Sequence, residues 1–545
     1  MKKRLLATLL TAVMAVSMLT GCSTPGGGGG SDEGGDGEGG KVFRYATNTL
    51  PTTLDPNKIT SIGDNEIMHA ITEGLTRNTA GDITPGIAED WDISEDGLTY
   101  TFHLRDAKWS DGEPITAADF EYSWKRLADP ETGSVLAYFV GHVKNGNAIL
   151  AGDMPVDELG VKVIDDKTLE VTLEHVAPFF LGLIGASGEF APVRQDIVEE
   201  YGTEFAATCD KNVYSGPFKM TKSEDNEWFF EKNENYWDAD SIKLDRCELT
   251  YVENTDTQLS MYEAGDLDYV QVPTAQVENY KDQATEFVNG NVDYCYINPE
   301  ADNPVMGNQN FRLALNYAID RVEYNQLANS GVYEPYNGFV FSGLTAKDST
   351  YGEEYDLDSY AYPLEGDSAK AAEYLEAAMK ELNISDPSEI TIEFTTTDHE
   401  TNKKIAEVLQ ERWQNELGIN VKIRQVTYNE IYGEVFPKYD YEIGYGGWGA
   451  DYDDAATYLE VFAMQAYSPY DNPEYMELYD NSWLEADTDA RMDMLNEAEK
   501  VLFADGVVVP LQARTVYYLL DEDTTGVNFF HCSVNIDWVY ADVAE

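Results

Sequence analysis

The 545-residue chain carries 100 Asp and Glu against 36 Lys and Arg, a formal charge of −64. A surface that acidic repels nucleic acid and anionic lipid, which excludes both as partners, and charge spread so evenly reads as a solubility or salt adaptation. The length allows two or three domains with substantial cores, and scattered histidines with no CxxC pair leave no metal or cofactor to expect.

In chain order, the first element is a targeting signal. Met1-Lys2-Lys3-Arg4 leads an apolar run from Leu5 to Leu19. A positive tip, an apolar core too short to span a bilayer comfortably and a small-residue exit make residues 1–21 a secretory signal. Leu19-Thr20-Gly21-Cys22 resembles the bacterial lipobox, which implies that Cys22 is lipidated and becomes the mature N-terminus. An ordinary signal with a chance cysteine is the alternative, and a transmembrane anchor is disfavoured because glycine and acid follow at once. Residues 22–40, almost all Gly, Ser, Asp and Glu after the cysteine, read as a flexible tether. Two acyl chains on one cysteine would give durable attachment.

Further on, Tyr100, Phe102 and Leu104 alternate as a strand, a Ser-Asp-Gly turn follows at Ser110-Asp111-Gly112, and Thr116 N-caps a helix from about Ala117, with Asp119 closing a capping box. A βαβ unit comes later. Ile390, Ile392 and Phe394 form a strand, Ile405, Val408, Leu409 and Trp413 share a helix face, Gly418 ends that helix, and Val421 and Ile423 resume a strand. Tyr441-Glu442-Ile443 is a further short strand running into a glycine-rich exit, Gly444 to Tyr452. Ligands of open α/β sheets sit at such strand ends, where glycine allows close approach, Trp448 offers a flat wall and Asp451 a charge. A surface turn with a solvated acid is the competing reading.

Catalytic signatures are missing. No GxSxG, HExxH, P-loop or Rossmann fingerprint occurs. His399-Glu400 lacks a second histidine because Lys403 stands there, and the calcium-like start at Asp521 ends on Cys532 instead of Glu. Beyond Cys22, the four cysteines Cys209, Cys247, Cys295 and Cys532 are either buried thiols or disulfide partners, with Cys209 and Cys247 the first pair to test.

The block from Ala88-Glu89-Asp90-Trp91 to Asp119-Phe120, with Lys108-Trp109-Ser110-Asp111-Gly112 at its centre, resembles the signature of the family 5 extracellular solute-binding proteins. Leu54-Asp55-Pro56, Gly216-Pro217-Phe218, Asn235-Tyr236-Trp237, Gly265-Asp266-Leu267-Asp268 and Phe311 to Arg321 follow in family order. The resemblance implies an α/β, periplasmic-binding-protein-like class II two-lobed fold with an additional subdomain on the first lobe. Its expected division is 41–85, 195–298 and 508–545 for lobe I, 86–194 for the extra subdomain, and 299–507 for lobe II. It further implies a monomeric, non-catalytic receptor, lipid-anchored on the outer face of the cytoplasmic membrane. That receptor would capture oligopeptides and pass them to the membrane subunits of an ABC importer.

The same resemblance assigns the site. Asp451 would hold the α-ammonium of a peptide, and the backbones of Thr60, Ser61 and Ile62 would face Gly447, Trp448 and Gly449 across it. Tyr428 stands where some relatives place an aromatic wall, although a half-buried strand aromatic is as good a reading. Tyr445 and Asn402 occupy positions where relatives place Arg or His against the peptide carboxylate, leaving Arg514 to hold that end, or nothing. Gly449 replaces a cysteine of some relatives. An oligosaccharide receptor of the same fold is the first alternative, opposed by Asp451, which suits an ammonium better than a neutral sugar. A surface-anchored hydrolase is the second.

Overall fold

The computed structural model describes residues 40–79, 82–532 and 536–544. The signal segment and Cys22 lie outside the described residues, as does the tether except for Gly40. No helix among the described residues is long and apolar enough to cross a membrane.

The first lobe starts with β1 (Val42–Thr47), which buries alternate Phe43 and Tyr45, and α1 (Ile62–Ile71). A small antiparallel sheet follows, made of β2 (Ala88–Ile93), β3 (Thr99–Leu104), β4 (Val161–Asp165) and β5 (Thr168–Thr172) in the order β2-β3-β5-β4. Tyr100, Phe102 and Leu104 are the buried face of β3. The helix expected after the Ser-Asp-Gly turn is α2 (Ala117–Ala128), and the Thr116 N–H donates to Asp119 at 2.8 Å. Arg126 of α2 ties the small sheet to the rest of the lobe by donating to Asp55 Oδ2 at 2.5 Å.

The main sheet adds β6 (Phe218–Glu224), β7 (Glu227–Lys232), β8 (Arg246–Tyr251), β9 (Tyr269–Gln271), β10 (Thr285–Ile297), β11 (Thr391–Thr397), β12 (Asn420–Val426), β13 (Ile443–Trp448) and β14 (Val508–Leu520). Its order is β12-β11-β13-β10-β14-β9-β1-β8-β7-β6, with the short Glu334–Pro335 strand also paired to β14. One half of this sheet belongs to each lobe. The two 13-residue strands β10 and β14 join them: β10 pairs with β13 through Val292–Ile297, and β14 pairs with β9 through Tyr518–Leu520. This is the two-lobed α/β architecture that the resemblance implied.

The joining ladder slips in register between Val288 and Val292. Gly290, at φ +73°, sits in that bulge, and a Cβ there would lie 2.2 Å from the His531 carbonyl oxygen. Glycine is required on both counts.

The βαβ unit forms as its periodicity predicts. The helix α3 (Glu400–Leu417) buries Ile405, Leu409 and Trp413 and ends at Gly418 with φ +68°. Strands β11 and β12 run parallel, with Ile392 beside Val421 and Phe394 beside Ile423. The glycine-rich exit differs from its expected form. It is the strand β13 itself, beginning at Ile443 and continuing through Trp448. Its glycines serve packing: a Cβ at Gly444 would meet the Phe436 ring at 2.3 Å, and one at Gly446 the Tyr296 ring at 2.9 Å. Such separations leave no room for any side chain. Cys209, Cys247, Cys295 and Cys532 are free thiols, so the Cys209–Cys247 bridge is not formed. Cys247 is fully buried in the first-lobe core.

Candidate functional site

A cavity of about 720 Å³ lies between the lobes. That is within the range of roughly 300–1,000 Å³ typical of ligand pockets. Thr60, Ser61, Tyr138 and Glu189 line it from the first lobe, and Tyr428, Tyr432, Tyr467 and the stretch Gly447–Asp451 from the second. Asn289 and Asn291, beside the Gly290 bulge, close it on the hinge side.

The first-lobe wall is held by a buried acid. Asp64 accepts the N–H of Thr52 at 2.7 Å and that of Thr60 at 3.0 Å, while Ser61 caps α1 by accepting the Asp64 N–H at 3.1 Å. The Ser61 carbonyl accepts the N–H of Asn65. Thr60 N–H and Ser61 C=O are therefore engaged within the protein, which reduces what this segment can offer a ligand from its backbone. Ile62 opens α1, and its side chain lies outside the described residues.

The second-lobe wall is the end of β13. A Cβ on Gly447 would lie 2.8 Å from Asp293 Oδ1, and one on Gly449 2.6 Å from Asn291 Oδ1. These two glycines let the strand press against the hinge strand β10 as well as leave its other side open. Trp448 is half-buried, and its indole N–H is buried with no hydrogen-bond partner among the described residues. On its other edge, β13 pairs with β11 at Ile443 and Gly444 and then runs on to Trp448 with no strand beside it among the described residues.

Asp451 follows, half-buried. The Tyr138 hydroxyl donates to its carboxylate at 3.1 Å from the opposite lobe, and its own N–H donates to Thr457 Oγ1 at 3.0 Å. Burial pushes the Asp451 carboxyl up to about 7, partly offset by the Tyr138 bond. An acid so placed gains most from a ligand cation, because a nearby positive charge restores the ionised form that burial disfavours.

Tyr428 lines the cavity as the aromatic-wall reading expected, whereas Tyr445, Asn402 and Arg514 take other places. Tyr428 belongs to a helical turn, Tyr428–Glu430, rather than a strand; it is 67% exposed at the cavity rim and packs its ring 4.8 Å from Tyr432. Tyr445 is 5% exposed and lies in the second-lobe core, not in the cavity. Strand alternation puts it on the face opposite Trp448. Asn402 donates to Thr397 Oγ1 at 2.7 Å and also stands outside the lining. Arg514 is a hinge residue. Its Nε and Nη2 lie 2.9 and 2.8 Å from Asp293 Oδ1, and the carboxylate holds the guanidinium charged. With that partner satisfied, Arg514 is not placed to receive a peptide carboxylate in the cavity.

Tyr138 and Glu189 were missed by sequence reasoning. Tyr138 gives no local signal. Glu189 does: it is the one charged residue between Val176 and Val193, and an acid inside an apolar stretch is rarely buried without a role.

Comparison with known proteins follows from this geometry. Residues 82–469 match the model for bacterial extracellular solute-binding proteins, family 5, middle region. The oligopeptide-binding protein OppA of Bacillus subtilis is 31% identical over 542 residues, 97% of this chain and 97% of the relative. The dipeptide-binding protein DppE of the same organism is 31% identical over 89% of both chains. Among solved structures, Listeria monocytogenes OppA bound to peptide superposes with a TM-score of 0.77 at 28% identity, covering 93% of this chain and all of that one.

Proposed function

Because the chain belongs to the bacterial extracellular solute-binding proteins of family 5, we propose that it is an oligopeptide receptor of an ABC importer, capturing its ligand between the two lobes. In this reading residues 41–85, 195–298 and 508–545 form the first lobe, 86–194 its added subdomain and 299–507 the second. Strands β10 and β14 serve as the shared hinge.

The observation that carries the reading is a strand edge left open beside a half-buried carboxylate. A peptide entering the cavity can pair its amides with the free edge of β13 between Tyr445 and Trp448, as in strand addition. Its α-ammonium then reaches Asp451, and the unpaired Trp448 indole N–H can meet one of its carbonyls. Backbone pairing makes affinity largely independent of side-chain identity, while the ammonium contact sets direction. Nothing in this reading requires chemistry by the chain itself.

A pool of tri- to octapeptides tests the reading. The protein should melt higher in its presence, and Asp451→Ala should weaken binding more than tenfold, since removing one partner of a buried charge pair costs about 2–5 kcal/mol. No response to peptides of any length would sink the claim. The cluster of Tyr428, Tyr432, Tyr467 and Trp448 also suits a sugar face. A neutral glycan that raises melting, with Asp451→Ala inert, would select that second reading. Anchoring through Cys22, with the tether as slack for delivery to the importer, completes the proposal. Cys22→Ala should release the protein into the medium and leave binding by the purified protein intact, and retention at the cell would refute the anchor.

A further inference from the structure

Glu189 lines the cavity from the first lobe, is 2% exposed, and its Oε2 is buried with no hydrogen-bond partner among the described residues. Its backbone is clamped in place. The Glu189 carbonyl accepts from Asn57 Nδ2 at 2.9 Å, the next carbonyl, of Phe190, accepts from Trp124 Nε1 at 2.8 Å, and the preceding N–H, of Gly188, donates to Asn65 Oδ1 at 2.8 Å. The side chain is thus delivered to the cavity by rigid structure. No cation pairs with it among the described residues, and the charge that acts on it is another negative one, Asp451 of the opposite lobe. A buried carboxylate whose support is its own backbone N–H, with Oε2 left without a partner, is costly unless something comes to it.

We propose that Glu189 is a second anionic contact for the cationic end of the ligand, so that each lobe lends one carboxylate and an ammonium between them draws the lobes together. The proposal rests on the peptide reading of the site and deepens it. Without a cation, two carboxylates facing one another across the cleft disfavour closure, either by repulsion or by forcing protonation. With one, both are satisfied at once. Closure is then gated by ligand charge, and a ligand lacking a positive group binds more weakly even where its backbone pairs with β13. Burial, with Asp451 adding to it, pushes the Glu189 carboxyl up to about 8, and Asp451 stands at about 7. The empty cleft therefore holds protons near neutral pH that an entering ammonium displaces.

The test compares the wild type, Glu189→Gln and Asp451→Asn, each with a pool of tri- to octapeptides bearing free N-termini and with the same pool acetylated. Glutamine keeps the volume of glutamate, and melting of the unliganded variants checks the fold. The expected result is that Glu189→Gln weakens the free pool by about tenfold or more while changing affinity for the acetylated pool by less than about twofold. If Glu189→Gln binds the free pool as the wild type does while Asp451→Asn loses it, the second contact is overturned and the peptide reading survives. If the wild type binds neither pool, both readings fall. Should Glu189→Gln not fold, proton release at pH 7 decides, measured calorimetrically in buffers of different ionisation enthalpy for the wild type and Asp451→Asn. Capture by both carboxylates leaves proton release on binding in Asp451→Asn as well, whereas release that disappears in Asp451→Asn overturns the proposal.

Discussion

At the hinge, β10 and β14 run side by side from Thr285 opposite Tyr518 to Tyr296 opposite Val508, and the lobes are joined by backbone hydrogen bonds. At the mouth, the same lobes meet through side chains. Phe179 stacks on Tyr452 with centroids 4.1 Å apart, His175 lies 4.3 Å from Trp483, and Tyr138 donates to Asp451. The hinge cannot part without stranding backbone polar groups, which is costly in a buried ladder. The mouth can part because each of its contacts is a side-chain contact that water can replace. The proposed receptor, opening and closing around its ligand, needs one joint of each kind, and the difference separates residues that hold the fold from residues that would hold a closed state.

The largest expected effect lies at the hinge. Asp293 is buried and accepts from Gln512 at 2.8 Å and from Arg514 at 2.9 Å, and Gln512 in turn accepts from Asn329 at 2.6 Å. Asp293→Ala strands these donors. Breaking a buried pair costs about 3–5 kcal/mol, reduced here to about 2–3 kcal/mol because the Arg514 side chain is 46% exposed and can turn to water. Chemical denaturation of the unliganded protein should show that loss. An unchanged midpoint would mean that the hinge network carries no stability.

A smaller effect is expected at the mouth, and in a different measurement. Trp483 packs against His175, His142 and Phe179 across the lobes and stands under the Arg491 guanidinium at 5.0 Å. Aromatic pairs contribute about 0.5–1.5 kcal/mol each beyond area. Trp483→Ala should therefore weaken peptide affinity by roughly tenfold through loss of the closed state. Small-angle scattering should show a more open unliganded form. A variant as closed as the wild type would make the mouth a passive contact.

The smallest effect is a pH dependence confined to the mouth. Burial lowers both His142, to about 3, and His175; His175 and Arg491 add to the effect on His142, and Arg491 is opposed at His175 by Glu174 and the Val176 backbone. A histidine whose pKa is depressed in the closed form stabilises that form while it is neutral. Its contribution is present above its ordinary value of 6.5 and is lost as pH falls below that value. Scattering from the unliganded protein should report opening between pH 7 and 5, and a His142→Phe, His175→Gln double variant should flatten the change. An equally steep transition in the double variant would assign it to other groups.

Part of this was legible beforehand, and for reasons of range. Gly418, the face of α3 and the pairing of β11 with β12 follow from periodicities that a few consecutive residues set by themselves. Trp448 and Asp451 were found because wall and charge fall within four residues of one another. The form of the glycine stretch was not legible, since Gly444 and Gly446 answer to the rings of Phe436 and Tyr296, which no local pattern brings near. Tyr445 was placed near the ligand by its position in the family pattern and Arg514 by its charge, yet strand alternation sends one into the core and Asp293 claims the other.

The sequence by itself determined the elements and the family, because helix and strand periods and a compact motif are local properties, and the family resemblance singled out Asp451 as the expected ammonium contact. Only the tertiary structure decided what Asp451 faces and how far burial raises its carboxyl. Its hydroxyl partner Tyr138 is 313 residues away along the chain, and the carboxylate that acts on Glu189 comes from the other lobe. Desolvation and charge–charge interaction depend on distance in space, and here that distance is set by the closing of one lobe on the other.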